Sequence, residues 1–376
     1  MKHDSSPPIS SVLVKPVSAD CNLSCTYCFY LSKASLYPEV EVHRMDDEVL
    51  MKLMAQIFSI PSETISFCWQ GGEPTLAGID FYRRALRYQH VFKSSFQIVE
   101  NSLQTNGTLI DDDWARFLSR YDFLVGISLD GPREVHDRYR RNRGGLGSYE
   151  SVIRCIDILR RYFVKFNILT VVNNLNVKDP KGLYRFMVDM GFKYLQFIPC
   201  VEKDRDGRIA DYSITPEDYG RFLCELFDEW FNNGNPETYV RDFEDLLISY
   251  VLGDTPSCVF GYRCGRYIVV EYNGDVYPCD FYVDRRWLLG NIMEDNLEDI
   301  VTSEKFIEFA SMKDKLRELC KDCIWLRYCN TGCPRHWEVR NYSENYLCKS
   351  YRMFFEHAHD KFVLLKNSIE SSGGIR

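Results

Sequence analysis

Cys21-Asn22-Leu23-Ser24-Cys25-Thr26-Tyr27-Cys28 is the stretch that decides how this chain is read. Its spacing is C-x3-C-x2-C, and it directly follows the first predicted strand, Val12–Val17. Three thiolates can hold three irons of a [4Fe–4S] cube, for which cysteine is the usual ligand. The fourth iron then has no ligand from the chain, so a small molecule can coordinate it directly. In folds of alternating strands and helices, the loops at the strand C-termini build the active site. A structural zinc site is the alternative. Zinc requires a closed set of four ligands, and His43 is the candidate for the fourth.

Outward from that loop, short β-rich runs alternate with amphipathic runs. Strands are predicted at Val12–Val17, Ile65–Trp69, Phe96–Ser102, Phe123–Leu129, Phe166–Val172 and Tyr194–Pro199. Helices are predicted at Asp47–Phe58, Phe81–Phe92, Asp112–Arg120, Tyr149–Tyr162, Leu183–Met190 and Pro216–Phe231. Such alternation predicts parallel strands covered by helices. Six units fall short of the eight of a closed barrel, so a partial (β/α)6 barrel is expected over residues 1–235. Asn232-Asn233-Gly234-Asn235-Pro236 reads as a loop. After one more helix, Phe243–Leu252, the pattern changes. Tyr267–Tyr272 and Asp275–Pro278 flank Asn273-Gly274 and read as a β-hairpin on a type I′ turn. A small cysteine-rich domain is expected over 236–349, followed by a C-terminal helix, Tyr351–Leu365, within 350–376.

The chain has 376 residues and a formal net charge of −8. The negative balance argues against a nucleic-acid partner, which normally requires a basic face. The stretch Met1-Lys2-His3-Asp4 through Pro7-Pro8 lacks the apolar core of a signal peptide. No apolar run is long enough to span a bilayer, so a cytoplasmic location without membrane association is expected. Fifteen cysteines in a reducing compartment are not expected to form disulfides. Four of them, Cys68, Cys155, Cys200 and Cys224, are isolated among apolar residues and read as small buried hydrophobes.

Cys258, Cys264, Cys279, Cys320, Cys323, Cys329, Cys333 and Cys348 lie toward the C-terminus. Their number suits two fully ligated four-iron clusters, and equally two zinc sites. Spacing alone does not divide them into two sets. Elsewhere, Gly71 and Gly72 would let the backbone approach a ligand closely. Ser128 ends the fourth predicted strand, where it could bond a ribose or carboxylate. Arg140 could grip a carboxylate bidentately, whereas its neighbours Arg133, Arg138, Arg141 and Arg143 read as solvated surface.

The first motif, followed by Phe29-Tyr30, resembles the signature of the radical S-adenosylmethionine (SAM) superfamily, and Gln70-Gly71-Gly72-Glu73-Pro74 resembles its GGE motif. The resemblance implies that the open iron binds SAM and that reductive cleavage yields a 5′-deoxyadenosyl radical, with the protein positioning and shielding it. It also implies SAM contacts at Tyr27, Gly72, Ser128, Arg140 and Val201. Tyr277-Pro278-Cys279 and Leu289-Gly290-Asn291-Ile292 resemble the SPASM extension of this superfamily. That likeness implies two auxiliary [4Fe–4S] clusters, one on Cys258, Cys264, Cys279 and Cys333, the other on Cys320, Cys323, Cys329 and Cys348. Three [4Fe–4S] clusters are therefore expected in all.

A finer resemblance, over nearly the whole chain, is to anaerobic sulfatase-maturating enzymes. It rests on Cys28-Phe29-Tyr30, Gln70–Leu76, Ser102–Leu109, Phe197 with Cys200, and Pro278-Cys279-Asp280-Phe281-Tyr282. It implies two-electron oxidation of a Cys or Ser side chain of an unfolded sulfatase, carrying Cys/Ser-x-Pro-x-Arg, to Cα-formylglycine. A flavodoxin or ferredoxin is the expected electron donor. Asp280, next to an expected cluster ligand, is the candidate base. A free thiol has a pKa of about 8.5 and a carboxyl about 3.9, so ground-state transfer is uphill unless burial raises the carboxyl pKa, and a hydrogen-abstracted radical more acidic than its parent eases the step. The alternative for Asp280 is an ordinary turn cap. Tyr30, Gln70 and Gln104 are expected to face the cavity and position the peptide. The competing readings are a SPASM maturase that cross-links a peptide and a zinc-stabilised interaction protein.

Overall fold

The computed structural model describes residues 9–371. The N-terminal stretch read for a signal peptide, residues 1–8, lies outside them. Ten strands occur in the described residues: β1 (Ser11–Lys15), β2 (Thr64–Trp69), β3 (Ile98–Thr105), β4 (Leu124–Ser128), β5 (Phe166–Val172), β6 (Tyr194–Pro199), β7 (Tyr239–Val240), β8 (Ile268–Glu271), β9 (Asp275–Tyr277) and β10 (Gly290–Asn291). The helices that matter here are α1 (Asp47–Ile57), α2 (Ile79–Phe92), α3 (Asp112–Arg120), α4 (Arg133–Tyr139), α5 (Tyr149–Arg161), α6 (Pro180–Asp189), α7 (Pro216–Phe231) and α8 (Arg241–Leu252). Among the described residues, no helix is long and apolar enough to cross a membrane.

The chain divides into two compact units, each built from separate stretches. Of the described residues, the first holds 9–128, 137–166 and 265–310. Its strands run in the order β10-β9-β8-β1-β2-β3-β4. β1 pairs in parallel with both β2 and β8, so the cysteine-rich segment contributes a strand beside the first strand of the chain. In β2, Ile65, Phe67 and Trp69 are buried while Ser66 and Cys68 are only half-buried. Phe67 and Trp69 pack with Phe81 and Tyr82 of α2 or with each other. The opposite face, on which Gln70 and Gln104 follow Cys68 and Ser102 at period two, is left for polar groups.

Helix starts follow their caps. Asp46 accepts a hydrogen bond from Val49 N, and Asp111 from Trp114 N, which satisfies amides that the first turn leaves unpaired. The second unit holds, of the described residues, 129–136, 167–264 and 311–371. In it β5, β6 and β7 pair in parallel, and α7 packs along the terminal helix Cys348–Ser371. Thr215 caps α7, and Pro216 occupies its first turn.

The structure departs from sequence expectation in four places. β3 runs to Thr105 rather than stopping at Ser102. The hairpin turn is not type I′, because Gly274 has φ +92° while Asn273 is not left-handed. Instead Gly274 N–H donates to Glu271 C=O at 3.0 Å, closing a four-residue turn with glycine at its left-handed end. α4 was not anticipated, since its seven residues, Arg133 to Tyr139, carry no long apolar period. Finally, Cys155 and Cys200 are buried, but Cys68 and Cys224 are not fully so.

Candidate active site

The loop with the three N-terminal cysteines is held from three sides. Ser24 N–H donates to Arg141 C=O at 2.7 Å and Thr26 N–H to Tyr139 C=O at 3.1 Å. Gly72 N–H donates to Ser18 C=O and Glu73 N–H to Asp20 C=O, both at 2.7 Å. Cys21 Sγ accepts from Leu23 N–H at 3.4 Å and from Asn106 Nδ2 at 3.8 Å. Burial pushes the Cys21 thiol up to about 11, with the Leu23 amide opposing.

The glycines have a second duty here. A Cβ on Gly72 would stand 1.9 Å from Asp20 O, and one on Gly71 2.7 Å from Ser18 O. The cysteine loop itself, and not only a ligand, excludes side chains at both positions. Glu73, the acid of that motif, had no assigned role from sequence. It is fully buried and accepts from Thr75 N and Oγ1, Thr105 Oγ1 and Asn106 N. Burial raises its pKa against those donors. It therefore ties the end of β3 to the loop after β2. His43 does not serve the cysteines. Its Nδ1 lies 2.8 Å from Asp20 Oδ1 and its Nε2 3.2 Å from Tyr37 O.

Arg140 is buried, whereas Arg133, Arg138, Arg141 and Arg143 are exposed. Its guanidinium stands 5.4 Å from the centre of the buried Tyr27 ring. Ser148 Oγ donates to Arg140 O at 2.9 Å. Ser128 is buried at the end of β4. Gln70 and Gln104, at the ends of β2 and β3, are half-buried. Val201, in the second unit just after β6, is buried.

Asp280 follows Cys279 directly after β9 and is 8% exposed. Its carboxylate accepts from Tyr267 O–H at 2.9 Å, and the same hydroxyl lies 3.2 Å from Cys279 Sγ. Lys15, at the end of β1, is fully buried with its Nζ 4.0 Å from the Tyr30 ring centre. Burial lowers the Lys15 pKa; the Asp280 carboxylate, then Glu271, oppose that. Tyr30 O–H donates to Glu271. Burial, then Glu271, hold the Tyr30 pKa well above the usual phenol range. Asp280, Tyr30, Lys15 and Glu271 thus form one buried polar cluster. Sequence reasoning missed Lys15, Tyr267 and Glu271. Their only signal was a charged or polar residue interrupting or bordering an apolar strand.

In the second unit, Cys258, Cys264 and Cys333 are near enough to raise one another's pKa, and burial pushes Cys264 up to about 12. The buried Lys313 ammonium donates to the carbonyls of Cys258, Val259 and Gly261, which shapes that loop. Cys279 belongs to the first unit. Cys320, Cys323, Cys329 and Cys348 wall one cavity of about 530 Å³. Burial pushes Cys329 up to about 12, and Cys348 opposes its ionisation further.

No described group of three or more His, Cys, Asp or Glu is arranged to hold one metal ion. A cube distributes its thiolates over separate irons, and the cavity among the last four cysteines is large enough for one.

The sequence pattern of the radical SAM superfamily matches residues 16–187, and that of an iron–sulfur cluster-binding (SPASM) domain matches residues 258–324. A cysteine-type anaerobic sulfatase-maturating enzyme of Clostridium perfringens is 40% identical, over 97% of this chain and 100% of its own. A serine-type counterpart from Bacteroides thetaiotaomicron is 37% identical, over 95% of this chain and 91% of its own. Among solved structures, native anSMEcpe with bound AdoMet and Cp18Cys peptide superposes with a TM-score of 0.87 at 40% identity, covering 96% of this chain and 100% of that one.

Proposed function

This chain belongs to the anaerobic sulfatase-maturating enzymes of the radical SAM superfamily, and from that membership we propose how its own residues divide the work. It is a radical SAM oxidoreductase that forms Cα-formylglycine on a sulfatase. Its cofactors are iron–sulfur clusters and SAM. When bound, these supply the 5′-deoxyadenosyl radical that removes a hydrogen atom from the substrate Cβ, and they accept the second electron.

Three [4Fe–4S] clusters are proposed. Cys21, Cys25 and Cys28 would hold the first. Cys258, Cys264, Cys279 and Cys333 would hold the second, and Cys320, Cys323, Cys329 and Cys348 the third. For SAM, the buried Arg140 guanidinium and the Ser128 hydroxyl offer charge and hydrogen bonds. The Gly72 and Tyr27 backbones border the cysteine loop, and Val201 offers an apolar surface. Tyr30, Gln70 and Gln104 would position a sulfatase peptide carrying Cys/Ser-x-Pro-x-Arg. A flavodoxin or ferredoxin as electron donor, and a cytoplasmic location, complete the proposal.

Asp280 would take the proton from the substrate thiol or hydroxyl. The observation that carries this is its carboxylate geometry. Among its hydrogen bonds it accepts from the Tyr267 hydroxyl rather than capping a backbone turn. It is tethered to Cys279, and the buried Lys15 side chain lies near enough to feel its charge. The test is Asp280→Asn in the anaerobically reconstituted enzyme, given SAM, reductant and either peptide. SAM cleavage should persist while formylglycine falls at least about a hundredfold, in the range typical of a lost acid–base group. Mass spectrometry reads the product: serine loses two hydrogens, and cysteine additionally exchanges sulfur for oxygen from water. Unchanged product yield would remove Asp280 as the base.

A further inference from the structure

The cavity walled by Cys320, Cys323, Cys329 and Cys348 also has two hydrogen-bond donors without an acceptor. Trp325 and Thr331 line it. Trp325 Nε1 and Thr331 Oγ1 are buried and have no hydrogen-bond partner. A buried donor left without an acceptor is destabilising, so two lining one cavity call for a common acceptor.

The backbone at Thr331 carries a second, independent sign. Asn330, Thr331 and Gly332 have φ of +44°, +70° and +69°. Glycine and asparagine tolerate that region; a β-branched residue there is a strained outlier. Thr331 is nevertheless held there firmly. Its carbonyl accepts from Trp337 Nε1 at 2.8 Å and from Asn345 Nδ2 at 2.9 Å. The strain is thus imposed by the surrounding packing at a threonine that is only 2% exposed. Trp325 is fixed independently, by stacking on Phe355 at 5.8 Å between ring centres.

We propose that the Trp325 indole N–H and the Thr331 hydroxyl donate hydrogen bonds to sulfur atoms of the iron–sulfur cluster held by Cys320, Cys323, Cys329 and Cys348, and thereby raise its reduction potential. This rests on the reading of that cavity as a cluster site. Hydrogen bonds to cluster sulfurs are one of the levers by which a protein sets potential. A donor stabilises the reduced, more negative form more than the oxidised one. Sulfide and thiolate sulfur are the acceptors that such a cavity would contain, and they would satisfy both groups at once. Trp325 and Thr331 are therefore potential-setting residues rather than catalytic ones.

The test is an EPR-monitored redox titration of the full, reconstituted chain, comparing wild type with Trp325→Phe and Thr331→Val. Phenylalanine keeps a stacking ring, and valine keeps the β-branch and its strain, so each removes only the donor. The cluster on these four cysteines should become harder to reduce in each variant. The expected loss is on the order of tenfold in the reduction equilibrium, about 59 mV for a one-electron couple. The other clusters should not move. Unchanged potentials in both variants, with iron content intact, overturn the proposal while leaving the cluster site standing. If substituting the four cysteines by alanine removes no iron, the cavity reading itself fails, and the proposal with it. Should a variant lose its cluster, pulsed EPR on the unaltered chain carrying ¹⁵N-indole tryptophan decides the Trp325 bond. A nitrogen coupling to this cluster supports it, and no coupling overturns it.

Discussion

At the residue scale, the tightest constraint is Gly72. Its missing Cβ makes room for the Asp20 carbonyl 1.9 Å away, so even alanine must push the cysteine loop off the strand ends. Gly72→Ala should reduce iron bound at the N-terminal site and lower SAM cleavage by roughly tenfold or more, since displacement of about 1 Å at a reacting centre can cost about a hundredfold. Iron analysis and 5′-deoxyadenosine yield check this, and full iron content with normal cleavage would contradict it. The cysteines, Gly72 and Asp280 were legible because they sit inside or beside short motifs. Glu73 was legible as part of a motif but not as the tie between two strands, because besides the nearby Thr75 its donors lie at Thr105 and Asn106, more than thirty positions away. Lys15 and Glu271 were not legible as partners of Tyr30, because nothing local in either strand announces a contact across the fold.

At the element scale, the helices follow period and cap. α3 and α7 have the bounds that the sequence predicts, Asp112–Arg120 and Pro216–Phe231. Asp111 satisfies the Trp114 amide of α3. Asp111→Ala should cost about 1 kcal/mol of stability. An anaerobic denaturation midpoint reads that loss, and the variant should cleave SAM normally; an unchanged midpoint would deny the cap its role. Strand ends and the hairpin were less legible. Asn273-Gly274 signals a tight turn, but the register Val270↔Val276 leaves a longer loop than a two-residue turn. That register depends on where β8 meets β1, which the hairpin does not encode. Glycine at 274 is still required, since its φ is +92°.

At the scale of the whole molecule, each unit joins segments far apart in the chain, and ionisable groups are buried where those segments meet. In the second unit, Asp242, at the start of α8, and His336 line a small cavity of about 40 Å³ together with Tyr219, Phe260 and Tyr351. Burial pushes the Asp242 carboxyl up to about 7; Asp245 adds to this and Arg241 opposes it. In the unfolded chain the same group ionises near its ordinary value of 3.8. The contribution of Asp242 to stability is therefore fully present below that value and is lost as pH rises through about 7. Asp242→Asn removes the titration. Relative to wild type, the variant should gain stability between pH 5 and pH 8, by at most a few kcal/mol. Anaerobic thermal melts at the two pH values test the sign, and a constant difference between the two proteins would refute it.

The sequence by itself determined which residues have the chemistry to hold iron, in what spacing, and that strands alternate with helices, because those properties depend on side-chain chemistry and on periods of two or 3.6 residues. It also carried the family, through motifs short enough to survive without their surroundings. Only the tertiary structure decided that β8, some 250 residues downstream, lies against β1, that Arg140 is buried while its neighbouring arginines are exposed, and that Lys15 and Glu271 stand around Tyr30. Those outcomes follow from strand register and from burial between distant segments. Both are set by the free energy of packing the whole unit, and no local stretch of sequence contains it.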